Sequence, residues 1–430
     1  MNKTIFRQVN ILAGDDLQLM QGDVLVEDGV ITACGQVAPE EAAEAVEFAR
    51  GEEYVLVPGY INTHTHVAMS LLRDYGGDLP LDTWLNEYIW PAEARLTDED
   101  VYWGSCLGLL EMIASGTTCL VDMYDHCDAI AQALCDGGMR GILSRGSVGM
   151  NDPEGRGIAE NDAVYARWHG AEEDRLRVWY APQAPNTCPG AYIQEMAEHA
   201  RARGTGVHIH VAETKGEFDL ISAREGMTPV AWLESLGVLD VPTLAAHSVW
   251  LTDEDIAIFA KYGVAVAHNP ISNLKLASGV CRVEDLEAAG VVVGLGTDGA
   301  SSNNIMSMHR ELQVAALIHK IRRYDAQAVG AHDALRLATI QGARAIHWDD
   351  AIGSIAVGKR ADLTLYKLTQ PWNAPHHDVT SNIAYAAQQS DIDSVFVQGD
   401  CLYKHGEYTT LDKERIMREA ETRAKRLVQA

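Results

Sequence analysis

The chain has 430 residues, which is more than one ordinary domain and enough for a large hydrophobic core. Hydrophobic residues make up 47% of the sequence, a value typical of globular proteins and not of disordered ones. With 34 Lys and Arg against 61 Asp and Glu, the formal net charge is -27, and such a surface repels nucleic acids and anionic membranes. We therefore expect a globular protein that binds small molecules and neither nucleic acid nor membranes.

The cysteines and the N-terminal sequence favour a cytoplasmic protein. The eight cysteines are scattered without a Cys-x-x-Cys pair, and several lie in apolar runs where a reduced, buried thiol is expected. The N-terminal sequence MNKTIFRQVNILAGDD lacks the apolar segment and the cleavage site of a secretory signal. No stretch approaches the roughly 20 apolar residues that a membrane-spanning helix needs. We predict a cytoplasmic location.

Both ends of the chain are predicted to be rich in short strands. At the N-terminal end, IFRQVNIL and DVLVEDGVITACG read as strands, and Asp28-Gly29 is typical of a hairpin turn. Residues 353–368 (GSIAVGKRADLTLYKL) and 393–408 (DSVFVQGDCLYKHGEY) show the same pattern. Residues 411–429 are predicted to form an exposed helix that could equally dock on a neighbouring subunit.

Strands and helices alternate through the middle of the chain. The apolar, β-branched runs are VLVPGYINTH, TTCLVDM, RGILSRG, LRVWYAP, GVHIHVAE, TLAAHS, GVAVAHNP and VVVGLGTDG. Segments with helical periodicity, such as AYIQEMAEHARARG and DEDIAIFAKYG, lie between most of them. Eight strands that alternate with helices predict an α/β fold, a closed (β/α)8 TIM-type barrel. We place the barrel at residues 58–350 and expect residues 1–57 and 351–430 to pair as a small β-sandwich domain.

Residues that bind metals stand at the ends of several predicted barrel strands, where the chemistry of this fold takes place. His64 and His66 end strand one, and because side chains two apart share a face, both imidazoles point into the barrel mouth. His210 ends strand five and Asp298 ends strand eight. One histidine at a strand end is more often a hydrogen-bonded core or loop residue than a ligand. The combination, in this order along the chain, predicts a metal site.

Three imidazoles and one carboxylate suit one divalent ion, Zn2+ or Fe2+, with water completing the shell. Such a metal lowers the pKa of its bound water to about 7, which gives a hydroxide nucleophile at neutral pH. His247 ends strand six and would either bind the metal or orient the water. His208 lies in strand five at an even spacing from His210, and we interpret it as structural.

The segments PGYINTHTH, HVAE, AHS and GLGTDGA resemble the amidohydrolase superfamily, and the resemblance covers essentially the whole chain. Within the superfamily, LDTWLNEYIWPAEARLTDED, EMIASGTTCLVDMY, HNPISNLKLASG and GTDGASSNN are similar to the 5-methylthioadenosine/S-adenosylhomocysteine deaminase group. This resemblance implies that His64, His66, His210 and Asp298 are the ligands. Strand four, at residues 176–182, lacks the carboxylated lysine of binuclear members, which favours a single metal.

The resemblance also implies how protons move. Glu213, three residues after His210, would shuttle a proton and first protonate a ring nitrogen. Asp298 would take a proton from the attacking water, and His247 would orient that water. Two alternatives stay open at this point: Glu213 as an anchor for a ligand, and His247 as a further ligand.

Four positions bear on the substrate. By the resemblance, Glu93 would grip the ribose hydroxyls, although a carboxylate at a helix N-terminus in a charged loop is an alternative. Arg145 and Arg156 would face the 5' substituent and pair with a homocysteine carboxylate, with a solvated loop arginine as the alternative for Arg156. Gln183 stands where the group usually carries a histidine that contacts the nucleoside. Glutamine keeps hydrogen bonding but carries no charge, so the exact substrate stays open.

These residues predict an aminohydrolase that converts an adenine-type nucleoside to the inosine-type product and ammonia. S-Adenosylhomocysteine, 5'-methylthioadenosine and adenosine are the expected substrates, and the resemblance implies a homo-oligomer. The alternative is an amidohydrolase that deaminates or dehalogenates a triazine, guanine or pterin, because the same hydroxide attack serves all of them. A non-catalytic metal-binding scaffold is the remaining alternative, but it would need neither Glu213 nor an open coordination position.

Overall fold

The computed structural model describes residues 3–429. Its strands are β1 (Lys3–Ala13), β2 (Gln18–Glu27), β3 (Val30–Gly35), β4 (Val46–Arg50), β5 (Tyr54–Pro58), β6 (Tyr60–Thr65), β7 (Thr117–Tyr124), β8 (Arg140–Ser147), β9 (Leu176–Pro182), β10 (Val207–Val211), β11 (Thr243–His247), β12 (Ala265–His268), β13 (Val293–Leu295), β14 (Leu363–Lys367), β15 (Ile392–Val397), β16 (Asp400–Lys404) and β17 (Glu407–Tyr408). Its α-helices are α1 (Leu81–Trp84), α2 (Trp90–Glu93), α3 (Asp98–Ala114), α4 (Cys127–Gly137), α5 (Arg156–Trp168), α6 (Ala171–Asp174), α7 (Gly190–Arg203), α8 (Lys215–Glu225), α9 (Pro229–Ser235), α10 (Asp253–Tyr262), α11 (Pro270–Lys275), α12 (Val283–Ala288), α13 (Ala300–Asn303), α14 (Met308–Arg323), α15 (Ala331–Ala338), α16 (Ile340–Ala345), α17 (Val379–Tyr385) and α18 (Lys413–Gln429).

The strands β6 to β13 are parallel neighbours in chain order and form the predicted eight-stranded barrel. Hydrogen bonds join its first and last strands at the mouth. The backbone N–H of Asp298 donates to the carbonyl of His64 at 2.9 Å. The backbone N–H of Thr297 donates to the side-chain oxygen of Asn62 at 3.0 Å, and the Asn62 amide donates to the Thr297 hydroxyl at 2.7 Å. Two strands that carry predicted ligands are thus held side by side.

The first predicted barrel strand is in fact two strands. The run VLVPGYINTH breaks after Pro58, so that β5 belongs to the small sheet and β6 to the barrel. Gly59 lies at the break, where a Cβ atom would collide with the side chain of Thr118. The Gly59 N–H donates to the carbonyl of Asp362 at 2.9 Å, which ties the break to the C-terminal part of the small domain.

The other nine strands form one sheet from both ends of the chain, in the order β17-β16-β15-β14-β5-β1-β2-β3, with β4 paired to β1. Its two parts meet where β14 runs antiparallel to β5. The predicted turn at Asp28-Gly29 joins β2 to β3 with φ of 46° and 80°, as a hairpin turn of this type requires. The small β domain predicted from the two termini is confirmed.

A buried ion pair connects the small domain to the barrel. The Arg140 Nε atom lies 2.7 Å from Asp362 Oδ2, and both side chains are only 2% exposed. The second carboxylate oxygen of Asp362 also accepts from the backbone N–H of Gln398 at 2.8 Å. Because neither side chain is exposed to water, the charge of Arg140 and the charge of Asp362 must compensate each other.

The predicted helices are present, and the sequence explains where two of them begin. Thr97 and Thr252 cap α3 and α10, and an acidic residue three positions later, Asp100 or Asp255, accepts from the N–H of the capping threonine. No helix within residues 3–429 is long and apolar enough to cross a membrane.

The C-terminal helix is not as exposed as its sequence predicts. Ile416, Ala420 and Leu427 form one stripe of α18 and are buried in the main core, with α18 packed against α3. Arg426 and Arg423 pair with acidic residues at the start of α3. The helix docks on its own barrel because the apolar stripe needs a partner surface, and α3 provides one within the chain.

Candidate active site

A cavity of about 920 Å³ opens at the carboxyl ends of the barrel strands. The predicted site residues meet there, and only His64 lies beneath the cavity wall, where it is fully buried. The predicted residues that line the cavity are His66, Glu93, Arg145, Arg156, Gln183, His210, Glu213, His247 and Asp298.

The tautomer of His64 follows from a buried chain of hydrogen bonds. The Ser144 hydroxyl donates to the carbonyl of Asp122 at 2.6 Å, so its oxygen is left to accept from His208 Nδ1 at 3.3 Å. His208 Nε2 must then accept, and it accepts from His64 Nδ1 at 2.8 Å. The lone pair of His64 Nε2 therefore points into the site. His208 has the structural position predicted for it, one layer below the ligands.

The other three histidines are oriented in the same way. His66 Nδ1 donates to the carbonyl of Met123, and His210 Nδ1 donates to the carbonyl of Gln183 at 2.8 Å. His247 Nδ1 donates to the side-chain oxygen of Asn273 at 2.9 Å. The Nε2 atoms of His66 and His210 are left as acceptors, which is the state that a metal ligand requires, and His247 keeps a proton on Nδ1.

Asp298 presents one carboxylate oxygen to these nitrogens and uses the other to fix its position. Oδ2 accepts from the hydroxyls of Ser272 and Ser302 at 2.6 and 2.9 Å. Oδ1 accepts from the N–H of Gly299 at 2.8 Å and lies 3.5 Å from His64 Nε2 and 3.4 Å from His66 Nε2. The oxygen that faces the histidines is therefore Oδ1.

The donor atoms fit a divalent metal. His64 Nε2 is buried and has no hydrogen-bond partner among the described residues, and His66 Nε2 lies 3.3 Å from His210 Nε2. Burial lowers the pKa of His64, His66 and His210, the last to about 3, so all three are neutral near pH 7. Unprotonated nitrogens that converge without donors between them, next to one carboxylate, are a donor set suited to zinc or ferrous iron.

His247 sits close enough to act in either of its two predicted roles. Its donor atom lies within 4.8 Å of those of His64 and His210, and its Nε2 lies 3.8 Å from Glu213 Oε2. Burial alone would lower the pKa of His247, but the carboxylates of Glu213 and Asp298 raise it overall. The geometry thus permits both a bond to the metal and a hydrogen bond to a water beside it.

The backbone is strained where these side chains leave their strands. Ala212, His247, Ser248 and Asp298 have φ of 50°, 70°, 48° and 59°, values that residues other than glycine adopt rarely. Such conformations persist only where the surroundings impose them, and they cluster at functional sites. The turns after β10, β11 and β13 therefore aim side chains into the cavity at a cost in backbone energy.

Comparisons with known proteins identify the family of this chain. Residues 55–402 match the model of the Amidohydrolase family. The chain belongs to this family. The resemblance inferred from the sequence motifs is thereby confirmed, and so is the assignment to metal-dependent hydrolases.

Individual relatives cover most or all of the amidohydrolase chain. A 5-methylthioadenosine/S-adenosylhomocysteine deaminase from Caldanaerobacter subterraneus subsp. tengcongensis is 43% identical over 427 residues, which are 99% of this chain and 98% of the relative. A protein of the same name from Moorella thermoacetica is 50% identical over 364 residues, 85% of each chain. The crystal structure of an adenosine deaminase from Xanthomonas campestris with bound zinc superposes with a TM-score of 0.94 at 32% identity, covering 100% of this chain and 99% of that one.

Glu213, the predicted proton shuttle of this amidohydrolase, stands at the end of β10 beside the metal ligands. Burial raises the pKa of its carboxyl group, and the positive charge that His247 can carry opposes that rise. A carboxyl group whose pKa is raised toward neutrality can both release and take up a proton at neutral pH. Glu213 Oε2 lies 3.8 Å from His247 Nε2, and the residue lines the cavity.

Glu93, at the end of α2, lines the same cavity. Its Oε1 accepts from the hydroxyl of Tyr124 at 2.5 Å. Burial raises the pKa of Glu93 to about 7.

The two arginines have different environments. Arg145 ends β8, where its Nε lies 2.8 Å from Glu160 and 3.2 Å from Asp125, so its charge is already compensated. Arg156 begins α5 and is exposed at the cavity rim. A carboxylate ligand could pair with Arg156 directly from solvent. At Arg145 it would compete with Asp125 and Glu160 for the guanidinium group.

The residues that orient the ligands were missed in the sequence. Asn273 and Ser272 lie in the segment HNPISN, and Ser302 lies in GTDGASSNN, so the polar residues were visible but their targets were not. The carbonyl groups that fix His66 and His210 have no sequence signal at all, because any residue carries one.

Proposed function

We propose that this amidohydrolase deaminates adenine-type nucleosides: S-adenosylhomocysteine, 5'-methylthioadenosine or adenosine. The proposal rests on one observation above all, that Glu213 and a cluster of histidine Nε2 atoms with Asp298 face the same cavity as Glu93. The histidines, Asp298 and Glu213 suit hydrolysis at an aromatic carbon, and the carboxylate of Glu93 suits hydrogen bonding to the two hydroxyls of a vicinal diol. The names of the relatives from Caldanaerobacter and Moorella support the choice of substrate class.

His64, His66, His210 and Asp298 would hold one divalent metal ion, and we propose Zn2+, with Fe2+ as the alternative. A metal held there supplies a Lewis acid that lowers the pKa of water to about 7. The zinc bound by the structural neighbour from Xanthomonas supports the assignment.

The residues of the chain account for the protons of the reaction. Glu213 donates a proton to N1 of the adenine ring, which makes C6 electrophilic, and Asp298 accepts a proton from the water that attacks C6. The new C6–O bond leaves one hydroxyl proton, which returns to Glu213, while the proton on Asp298 passes to the departing amino group. The C6–N6 bond breaks, ammonia leaves and the 6-oxo product keeps its proton on N1. His247 orients the water during the attack.

The cavity supports a nucleoside with a 5' extension. Arg145 and Arg156 line it on the side of β8 and α5, and either could pair with the carboxylate of a homocysteine group. Gln183 also lines the cavity, and its uncharged side-chain amide suits hydrogen bonding to a substrate. We also propose a cytoplasmic homo-oligomer with domain boundaries near residues 57 and 350.

The experiment that tests the assignment is a Glu213→Gln substitution assayed for ammonia release. We expect bound metal to be unchanged, because Glu213 is not in the donor set, and turnover to fall roughly 100-fold or more. Equal turnover in the variant and the parent protein would refute the proton shuttle.

A further inference from the structure

Glu217 is a buried carboxylate beside the proposed active site that the reaction described above does not use. It lies in the first turn of α8, is 8% exposed and lines the same cavity as Glu213. Its Oε1 accepts from the backbone N–H of Ala212 at 2.9 Å, and its Oε2 accepts from the backbone N–H of Glu213 at 2.8 Å. Both oxygens of one carboxylate thus bind two consecutive peptide groups.

This arrangement is not ordinary helix capping. In α3 and α10, the acidic residue at the third helical position binds the N–H of the capping threonine itself. In α8 the capping residue is Thr214, whose hydroxyl accepts from the N–H of Glu217 at 3.1 Å. Glu217 does not return to Thr214 but reaches the two residues before it. Its carboxylate therefore serves the turn and not the helix.

The turn that Glu217 holds is the strained one from which Glu213 projects. Ala212 has φ of 50°, a conformation that alanine adopts rarely. Hydrogen bonds between one side chain and the two peptide groups on either side of Ala212 can impose it, because both N–H groups must then point toward the same carboxyl group. Without them, the Ala212 residue would relax toward negative φ and carry the Glu213 side chain with it.

The same turn also supports His247. The carbonyl of Val211 accepts from Ser248 at 3.0 Å, and the carbonyl of Ala212 accepts from Val249 and Trp250 at 3.1 and 2.9 Å. These bonds join the turn after β10 to the turn after β11, where His247 has its own positive φ. A change in the first turn is therefore passed to the second.

Glu217 has no cationic partner to explain its burial, since within residues 3–429 it forms no ion pair with Lys, Arg or His. Its hydrogen bonds come from the two backbone groups already described. A carboxylate buried on two peptide groups is costly to keep for packing alone. The burial of Glu217 is explained by the two backbone N–H groups that its side chain binds.

We propose that Glu217 is a positioning residue that fixes the Ala212–Glu213 turn and so aims the Glu213 carboxyl group, and through the adjoining turn His247, at the reacting ring. The inference rests on the proposed function for its kinetic consequence. Its structural part, the rigidity of the turn, stands without any substrate.

The test is Glu217→Gln, which keeps the size of the side chain but can accept only one of the two hydrogen bonds and turns an NH2 group toward the other N–H. Asp219→Asn is the matched control, because it removes an exposed charge from the same helix, where Asp219 pairs with Lys215 and with no other cation among residues 3–429. We measure kcat per bound metal, KM, metal content and hydrogen exchange of the peptide that covers residues 207–217.

In Glu217→Gln we expect kcat per bound metal to fall tenfold or more, KM to change less than threefold, and exchange at the Ala212 and Glu213 amides to accelerate. Asp219→Asn should match the parent protein in all four measurements. Metal content should be unchanged in both variants. A kcat within threefold of the parent, unchanged exchange at the turn, or a loss of activity that only follows a loss of metal would overturn the proposal.

A second variant separates aiming from folding. Glycine adopts positive φ without penalty, so Ala212→Gly added to Glu217→Gln should let the turn return and recover at least threefold in kcat. No recovery would overturn the positioning role. If the parent protein releases no ammonia from any nucleoside, the proposed function fails, and the exchange measurement still decides whether Glu217 holds the turn.

Discussion

Removing the hydroxyl of Ser272 should weaken metal binding without touching a ligand. Ser272 donates to Asp298 Oδ2 at 2.6 Å, and Ser302 donates to the same oxygen at 2.9 Å. Together they hold the carboxylate so that Oδ1 faces His64 and His66. The Ser272→Ala substitution leaves the Asp298 side chain in its buried site, but Asp298 Oδ2 loses the shorter of its two hydrogen bonds from serine hydroxyls.

The size of the effect follows from the bond that is lost. A hydrogen bond to a charged group contributes about 1.5–3 kcal/mol, and each 1.4 kcal/mol corresponds to about a factor of ten in affinity. We therefore expect the Kd for zinc to rise roughly 10- to 100-fold, the range found when partners of metal ligands are removed.

The assay is competition for zinc between metal-free protein and a chromophoric chelator, which needs no substrate. Ser301→Ala is the matched control, because Ser301 lies in the same helix as Ser302 but donates to the sulfur of Met69 and not to Asp298. A Kd in Ser272→Ala within twofold of that of the control would refute the idea that Asp298 is held for metal binding.

Three further predictions concern the substrate residues and the domain contact. Burial raises the pKa of Glu93 to about 7, so its carboxylate forms as the pH rises from 6 to 8. The KM for adenosine should therefore fall over that range. The Glu93→Gln substitution should abolish this fall in KM. Arg156→Ala should raise the KM for S-adenosylhomocysteine roughly tenfold or more and leave that for 5'-methylthioadenosine within threefold, because only the first substrate carries a carboxylate; equal changes for both would refute this role. Asp362→Ala leaves Arg140 buried without its partner and should lower the free energy of unfolding by about 3–5 kcal/mol, as measured by chemical denaturation; a loss below about 1 kcal/mol would contradict the buried ion pair.

The sequence predicted the barrel and the small domain because both depend on local patterns. Each apolar run that ends at a predicted site residue is a strand whose carboxyl end faces the cavity, as for His210 near the end of β10 and Asp298 after β13. Strand order alone then brings these ends together, since parallel strands of a barrel all end at one face.

What the sequence could not predict depends on contacts between distant segments. At the break within VLVPGYINTH, Gly59 passes so close to Thr118 that a Cβ atom would not fit, and periodicity does not encode this contact. The burial of α18 depends on the surface of α3. The orientation of His66 depends on a backbone carbonyl in β7, and that of Glu213 depends on Glu217, whose spacing from Thr214 predicts only an ordinary helix cap.

The most direct test of the proposed function is ammonia release by the zinc-loaded protein. The panel is adenosine, 5'-methylthioadenosine, S-adenosylhomocysteine, guanine, a pterin and an aminotriazine. Each compound is also assayed with the Glu213→Gln variant, which gives the background rate. We predict strong turnover of the three nucleosides and at least roughly 100-fold less in the variant. Turnover confined to the free heterocycles would contradict the roles of Glu93, Arg145 and Arg156, and the absence of ammonia from every compound would contradict the deaminase assignment itself.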